Sequence, residues 1–381
     1  LLLSQSVYAR FADGSAKLLL DKYFVNLTDT MYNPELGMHL LRRLRMTGLE
    51  NRMTTTLQLV PGKVRCLQAC ATSHGIFSIL AVDHRDSLRA IIAPDTPQTV
   101  TADQLSEIKL AIIKHLAPMT SAVLLDPVYS AGQAIAGGQL PGHVGLVCAM
   151  EEQGYLDSPY SRRTPLLPGW SVAKAKRLGA NGVKLLLFYN PDAGDVAEAQ
   201  EGLVRSVAND CLRYEMAFFL EPITYSSNPA IQKGSPQFAA MRRRLVVETV
   251  RRLSPLGPDV MKVEFPLDVH DEPDPAVWAE ACAELNEASI VPWTLLSAGD
   301  SFETFKQLLR VACLAGCSGF VGGRAIWREA IDLSDQQRID FLDDVASQRV
   351  RELHAIALEY GVPWNRRCAP MPVDEHWFQE Y

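Results

Sequence analysis

From about residue 77 the chain settles into short apolar runs separated by amphipathic stretches. Eight runs recur: "FSILAVDHR" (77–85), "SAVLLDPVYS" (121–130), "HVGLVCAM" (143–150), "NGVKLLLFYN" (181–190), "MAFFLEPITY" (216–225), "DVMKVEFPL" (259–267), "IVPWTLLSAG" (290–299) and "SGFVGGRA" (318–325). Stretches such as "VAEAQEGLVRSVANDCLRYE" and "SFETFKQLLRVACLAG" between them space their apolar residues as helices do. Near-continuous apolar strands alternating with helices predict a parallel sheet covered on both faces. Eight of them in about 250 residues predict an α/β fold of the (β/α)8 TIM-barrel type rather than a doubly wound sheet. No G-x-G-x-x-G follows the first run, which weakens a nucleotide-binding reading.

The sixth run, "DVMKVEFPLDV" (259–269), places Lys262 and Glu264 on one face and Met261, Val263 and Phe265 on the other. On an exposed edge strand the charges would carry no meaning; inside a barrel they are costly and need a purpose. Catalytic groups of barrels sit at the C-terminal ends of the strands. Read that way, the chain offers Asp83 and Arg85 on the first strand, Lys184 on the fourth, Glu221 on the fifth, and Lys262 and Glu264 on the sixth. A lone strand lysine more often snorkels to solvent, and a structural ion-pair cluster closing the barrel is the plain alternative. An acid beside two lysines offsets the desolvation of all three.

The last two runs carry a different signal. "LLSAGDS" sets Ser297, Gly299 and Ser301 after strand seven, and "VGGRA" sets Gly322, Gly323 and Arg324 at strand eight. Glycine lets backbone N–H groups approach an anion, arginine grips phosphate bidentately, and these two loops hold phosphate in many barrels.

Composition narrows the class. The 381 residues are 48% hydrophobic and 21% charged with a net charge of −7, which argues for a small-molecule ligand and against nucleic acid. No apolar run approaches the ~20 residues of a membrane span, and no secretory leader pattern is present, so a cytoplasmic protein with no membrane partner is expected. The eight cysteines form no CxxC pair; Cys66/Cys70 and Cys313/Cys317, spaced by four, read as reduced structural thiols rather than a zinc or disulfide site. The chain starts at Leu1, and "LLLDKYFVNLTDTMYNPELGMHLLRRLRM" lacks the strand–helix rhythm. Residues 1–52 are therefore expected to be an extension, with Met53 near a natural start and residues 53–381 forming a single barrel domain.

A lysine beside a phosphate site suggests a reaction. A lysine desolvated near another cation is a nucleophile toward ketones, and the resulting iminium lets the adjacent carbon–carbon bond break without a metal. A carboxylate must then move the C4 hydroxyl proton, a task suited to Glu221, with Lys262 as the nucleophile. Metal-dependent cleavage fits less well, because the histidines are dispersed and "DVHDEPD" (268–274) reads as an acidic loop. No cofactor and no metal ligand are expected.

From about Phe77 to Trp364 the chain resembles the class I tagatose-1,6-bisphosphate aldolases and the related sulfofructosephosphate aldolases. The likeness rests on "AVDHRDSL", "VKLLLFY", "FFLEPITY", "DVMKVEFP", "LLSAGDSFETF" and "GFVGGRAIWREAI", in that order. It implies a Schiff base on Lys262, Glu221 as proton shuttle, Lys184 in support and Asp83 at the reacting carbons. It also implies that Ser297, Gly299, Gly323 and Arg324 hold a 1-phosphate. Where the family usually reads Asp-Gln-Arg, this chain reads Asp83-His84-Arg85, which bears on contacts to the sugar hydroxyls. The expected substrate is a ketohexose 1-phosphate such as tagatose 1,6-bisphosphate, giving dihydroxyacetone phosphate and glyceraldehyde 3-phosphate. The alternatives are a sulfofructose 1-phosphate giving sulfolactaldehyde, a sugar-phosphate sensor without catalysis, and a phosphate-binding isomerase. A homo-oligomer is expected from the family.

Overall fold

The computed structural model of this protein describes residues 56–381 and, ahead of them, three short strands at Tyr8–Arg10, Ala16–Leu20 and Tyr23–Asn26. Those three pair antiparallel in chain order; the rest of the expected extension over residues 1–52 lies outside the described residues. Two compact units divide the chain, Leu1–Thr55 and Thr56–Tyr381.

The larger unit is a closed barrel of eight parallel strands: β1 (Phe77–Ala81), β2 (Ala122–Leu125), β3 (Gly145–Ala149), β4 (Gly182–Tyr189), β5 (Ala217–Thr224), β6 (Val260–Val263), β7 (Trp293–Leu296) and β8 (Gly319–Gly322). They bond in chain order, and β8 returns to β1 to close the ring. Each strand lies within one of the eight apolar runs. The runs overshoot the ladder because the chain stays buried after pairing ends: beyond Val263, Glu264 and Phe265 are still covered.

Period-two alternation sorts the strand residues between two layers. Phe77, Ile79, Leu124, Val147, Phe219, Val260 and Val321 belong to the inner cluster, while Leu80, Leu125, Leu185, Leu220, Met261 and Phe320 join the outer one with the helices. Each large side chain in that outer layer contributes about 1.5–3 kcal/mol by leaving water, which offsets charges held inside. Among the helices, α1 (Pro61–Cys70) packs Val64, Leu67 and Cys70 on the inner cluster at its N-terminal end. Its Lys63 forms a buried 2.9 Å ion pair with Asp259, just before β6. Strand Leu57–Leu59 pairs parallel with Cys368–Pro370, tying the two ends of the unit together.

Three more helices matter below: α2 (Asp195–Arg213), α3 (Pro236–Leu253) and α4 (Phe302–Leu314). The first and last are the two amphipathic stretches read from the sequence. The connection from β3 to β4 carries an antiparallel hairpin, Leu156–Ser158 with Ser161–Arg163. Among the described residues no helix is long and apolar enough to cross a membrane.

Candidate active site

With one end of the barrel filled by apolar side chains, the strand C-termini surround a cavity of about 570 Å³. Its floor is charged. Leu220 on β5 is level with Met261 on β6, so the residues that follow, Glu221 and Lys262, are inward neighbours. Lys262 Nζ lies 2.7 Å from Glu221 Oε1. Lys184 rises from β4 to meet Glu151 at 2.6 Å, Asp83 at 2.7 Å and Glu221 Oε2 at 3.1 Å. The last contact is one of charge alone, because Glu221 Oε2 has no hydrogen-bond partner among the described residues. Glu151 also accepts the Leu186 N–H at 3.0 Å, which fixes its carboxylate beside Lys184.

The two lysines have different surroundings. Burial, with a side chain 1% exposed, works to lower the Lys184 pKa, but Asp83, Glu151 and Glu221 outweigh it and raise it well above the ordinary lysine value. Lys184 is therefore a fixed ammonium. Burial likewise works to raise Asp83, yet Lys184 and Lys262 hold it well below the usual carboxylate range. Among the described residues Lys262 has a single carboxylate partner, Glu221. Glu264 shares the Lys262 face but turns elsewhere, accepting from Thr224 N at 2.8 Å and pairing with Lys233 at 2.7 Å.

The wall formed after β7 and β8 carries a guanidinium among small residues. Arg324 and Ser297 line the cavity, and the Gly323 N–H donates to Ser297 Oγ at 3.4 Å. Gly299 sits behind the guanidinium at φ +95°; a β-carbon there would stand 3.2 Å from Arg324 Cζ. At Gly323 a β-carbon would stand 2.9 Å from His84 Cε1, so glycine lets the two loops close on each other. His84 rests edge-on against Trp327, its Nδ1 3.8 Å from Asp83 Oδ1. Burial pushes its imidazole down to about 3 against the pull of Asp83, with Arg324 and Lys262 adding to the fall, so the ring is neutral.

The fold thus brings Asp83, His84, Lys184, Glu221, Lys262, Ser297, Gly323 and Arg324 onto one cavity. It does not bring all the expected binding residues there. Arg85 lies off the cavity, buried, and donates to the Glu151 carbonyl at 2.5 Å. Strand alternation ends at Ala81, and Arg85 instead opens the turn into helix Asp86–Ile92. Gly322 follows the cavity-lining Val321 and so faces the other way; its β-carbon would meet Ile326 of the outer layer at 2.9 Å. Ser301 caps α4 by accepting the Thr304 N–H at 3.1 Å. Lys262 and Glu264 share a face as read, but the carboxylate that meets Lys262 is Glu221, one strand away.

Several cavity residues went unread. Glu151 follows the third run directly, so reading one residue further would have added it. Lys233, Arg242 and Asp300 come from loops and from α3, where no period aims side chains. Asp268 and His270, in the stretch read as an acidic loop, line the cavity too.

Barrel and floor together define a lyase of the aldolase class. Residues 77–329 match the model of the DeoC/LacD family aldolases, and the chain belongs to that family. Tagatose 1,6-diphosphate aldolase 2 of Streptococcus agalactiae serotype III (strain NEM316) is 28% identical over 330 residues, 81% of this chain and 99% of its own. Tagatose 1,6-diphosphate aldolase of Staphylococcus aureus (strain JH9) is 28% identical over 323 residues, 80% of this chain and 98% of its own. Among solved structures, a fructose-bisphosphate aldolase from Plasmodium falciparum superposes with a TM-score of 0.60 at 14% identity, covering 82% of this chain and 99% of its own. An archaeal fructose 1,6-bisphosphate aldolase reaches 0.50 at 17% identity, covering 76% and 99%. These structures share the fold.

Proposed function

We propose that this aldolase is a class I, Schiff-base enzyme that cleaves a ketohexose 1-phosphate, tagatose 1,6-bisphosphate, to dihydroxyacetone phosphate and glyceraldehyde 3-phosphate. The observation that carries this reading is Glu221 held between Lys262 and Lys184 on a cavity floor whose wall presents Arg324. Arg324 and Ser297 hold the 1-phosphate, which sets the C2 carbonyl against Lys262 Nζ. The amine adds to C2, and loss of water leaves an iminium. Glu221 takes the C4 hydroxyl proton, the C3–C4 electron pair moves into the iminium, and the aldehyde departs. Protonation of the enamine at C3 and hydrolysis release dihydroxyacetone phosphate and restore Lys262.

Lys184, a fixed cation, steadies the Asp83, Glu151 and Glu221 carboxylates while charge moves, and Asp83 orients the reacting hydroxyls. The iminium is the electron sink, so no metal is required. The names carried by the curated relatives support tagatose 1,6-bisphosphate as the substrate. We also propose that the enzyme acts as a homo-oligomer in the cytoplasm and that residues 53–381 contain the whole catalytic unit. The test is product analysis on a panel of tagatose 1,6-bisphosphate, fructose 1,6-bisphosphate and 6-deoxy-6-sulfofructose 1-phosphate. Preferred release of glyceraldehyde 3-phosphate from the tagatose substrate supports the reading, and preferred release of sulfolactaldehyde overturns the choice of sugar.

A further inference from the structure

A doubly anionic ketose needs a cation at each end, and the cavity supplies them unequally. Arg324 and Arg242 line the wall from β6 to β8. Across the cavity the lining residues include Asp83, Glu151, Glu152, Gln153 and Phe188. The lysines within reach of that side are already matched: Lys184 by three carboxylates, Lys233 by Glu264 at 2.7 Å. A ketose held by Arg324 and running past Lys262 on β6, Glu221 on β5 and Lys184 on β4 heads toward the end of β4. There stands Phe188, part-buried, its ring on the cavity.

Against Phe188 lies Arg162, carried by the second strand of the hairpin in the β3–β4 connection. Its guanidinium carbon is 4.5 Å from the ring centre of Tyr155, 5.1 Å from that of Phe188 and 5.3 Å from that of Tyr225. The backbone N–H of Arg162 donates to the Tyr225 hydroxyl at 3.2 Å, and Nε donates to the Pro159 carbonyl at 2.8 Å. Among the described residues the guanidinium meets no carboxylate, unlike its neighbour Arg163, which pairs with Asp157 at 2.6 Å. Aromatic rings over a guanidinium fix its plane and strip water from its faces, leaving the in-plane N–H edge to meet an oxyanion. A guanidinium ordered in this way binds phosphate or sulfonate with little further loss of side-chain entropy.

We propose that Arg162 binds the tetrahedral oxyanion at the end of the substrate remote from Lys262, and so selects ketose 1-phosphates that carry a second anion. This rests on the aldolase reading above. The hairpin then acts as a specificity element, hung over the barrel mouth by Tyr225 and aimed by the rings of Tyr155 and Phe188.

The experiment measures kcat and KM of the full chain on tagatose 1,6-bisphosphate, 6-deoxy-6-sulfofructose 1-phosphate and tagatose 1-phosphate, for wild type, Arg162→Lys and Arg162→Ala. Arg162→Ala should raise KM for the better doubly anionic substrate by about 10- to 100-fold, as loss of a charge-assisted contact does. Its kcat should hold, and turnover of tagatose 1-phosphate should stay nearly unchanged. Arg162→Lys should recover part of the loss, and whichever doubly anionic substrate loses more identifies the remote group. Equal losses on all three substrates would assign the hairpin a purely structural role and overturn the proposal. So would an unchanged KM, or a wild type indifferent to the second anion; both leave the aldolase reading intact. A wild type that cleaves none of the three and forms no borohydride-trapped adduct overturns both readings together.

Discussion

Lys262 Nζ lies 2.7 Å from Glu221 Oε1, the two side chains reaching into the cavity from neighbouring strands. The other oxygen of Glu221 lies 3.1 Å from Lys184 and has no hydrogen-bond partner among the described residues, leaving it able to accept a proton from a substrate hydroxyl. One carboxylate thus touches both the proposed nucleophile and the fixed cation.

That arrangement assigns separate outcomes to three substitutions. Borohydride added with substrate should trap an adduct that peptide mapping places on Lys262, and Lys262→Ala should abolish both trapping and turnover. Glu221→Gln should still trap, while kcat falls by about 10²- to 10⁴-fold, the usual contribution of a positioned acid–base group. Lys184→Ala should slow turnover and keep the adduct. An adduct on Lys184 would overturn the assignment.

Arg324 tests the phosphate wall. Arg324→Ala removes a charge-assisted, bidentate contact worth about 2–3 kcal/mol, so KM should rise steeply with kcat less affected. An unchanged KM would mean that the 1-phosphate sits elsewhere.

Acid should destabilise the barrel in two stages. Burial works to raise Glu264, but Lys233 and Arg242 with the Thr224 N–H hold it down at about 2, against an unfolded value of 4.5. His84 is held down at about 3, chiefly by burial, against 6.5. Both folded values are depressed, so each group's contribution is complete above its unfolded value and is lost as pH falls through the folded one. Melting temperature should begin to drop below pH 6.5 through His84 and again below 4.5 through Glu264. His84→Gln should flatten the first stage only; a curve parallel to wild type from 6.5 to 5 would remove His84 from this account.

Metal dependence separates the two routes to aldol cleavage. Prolonged chelation followed by assay should leave kcat unchanged, since the iminium supplies the electron sink. Activity that collapses with chelator and returns with zinc would replace Lys262 by a metal-bound enolate.

The unit boundary offers a further check. All the described cavity residues lie within Thr56–Tyr381, so a chain starting at Met53 should keep turnover and melting temperature close to those of the full chain. A large loss of either would assign residues 1–52 a part in the catalytic unit.

Much of this protein was determined by the sequence alone. Whether a strand residue faces inward depends on its immediate neighbours, so the eight apolar runs yielded the barrel, and the charges that interrupt or follow its strands picked out Asp83, Lys184, Glu221 and Lys262, which line one cavity. The same locality explains what was lost. Past Ala81 the backbone leaves the strand period, and Arg85 turned into a helix start rather than toward the cavity. Only the tertiary structure decided the partners: that Lys262 meets Glu221 rather than Glu264, that Glu151 completes the ring around Lys184, and that Arg162 stands among three aromatic rings. Those choices depend on register between strands about forty residues apart and on how far a lysine or glutamate reaches across a closed barrel. A period of two along one strand determines the face of a residue; which neighbour it meets there is determined by strands that the chain reaches only after a helix and a turn.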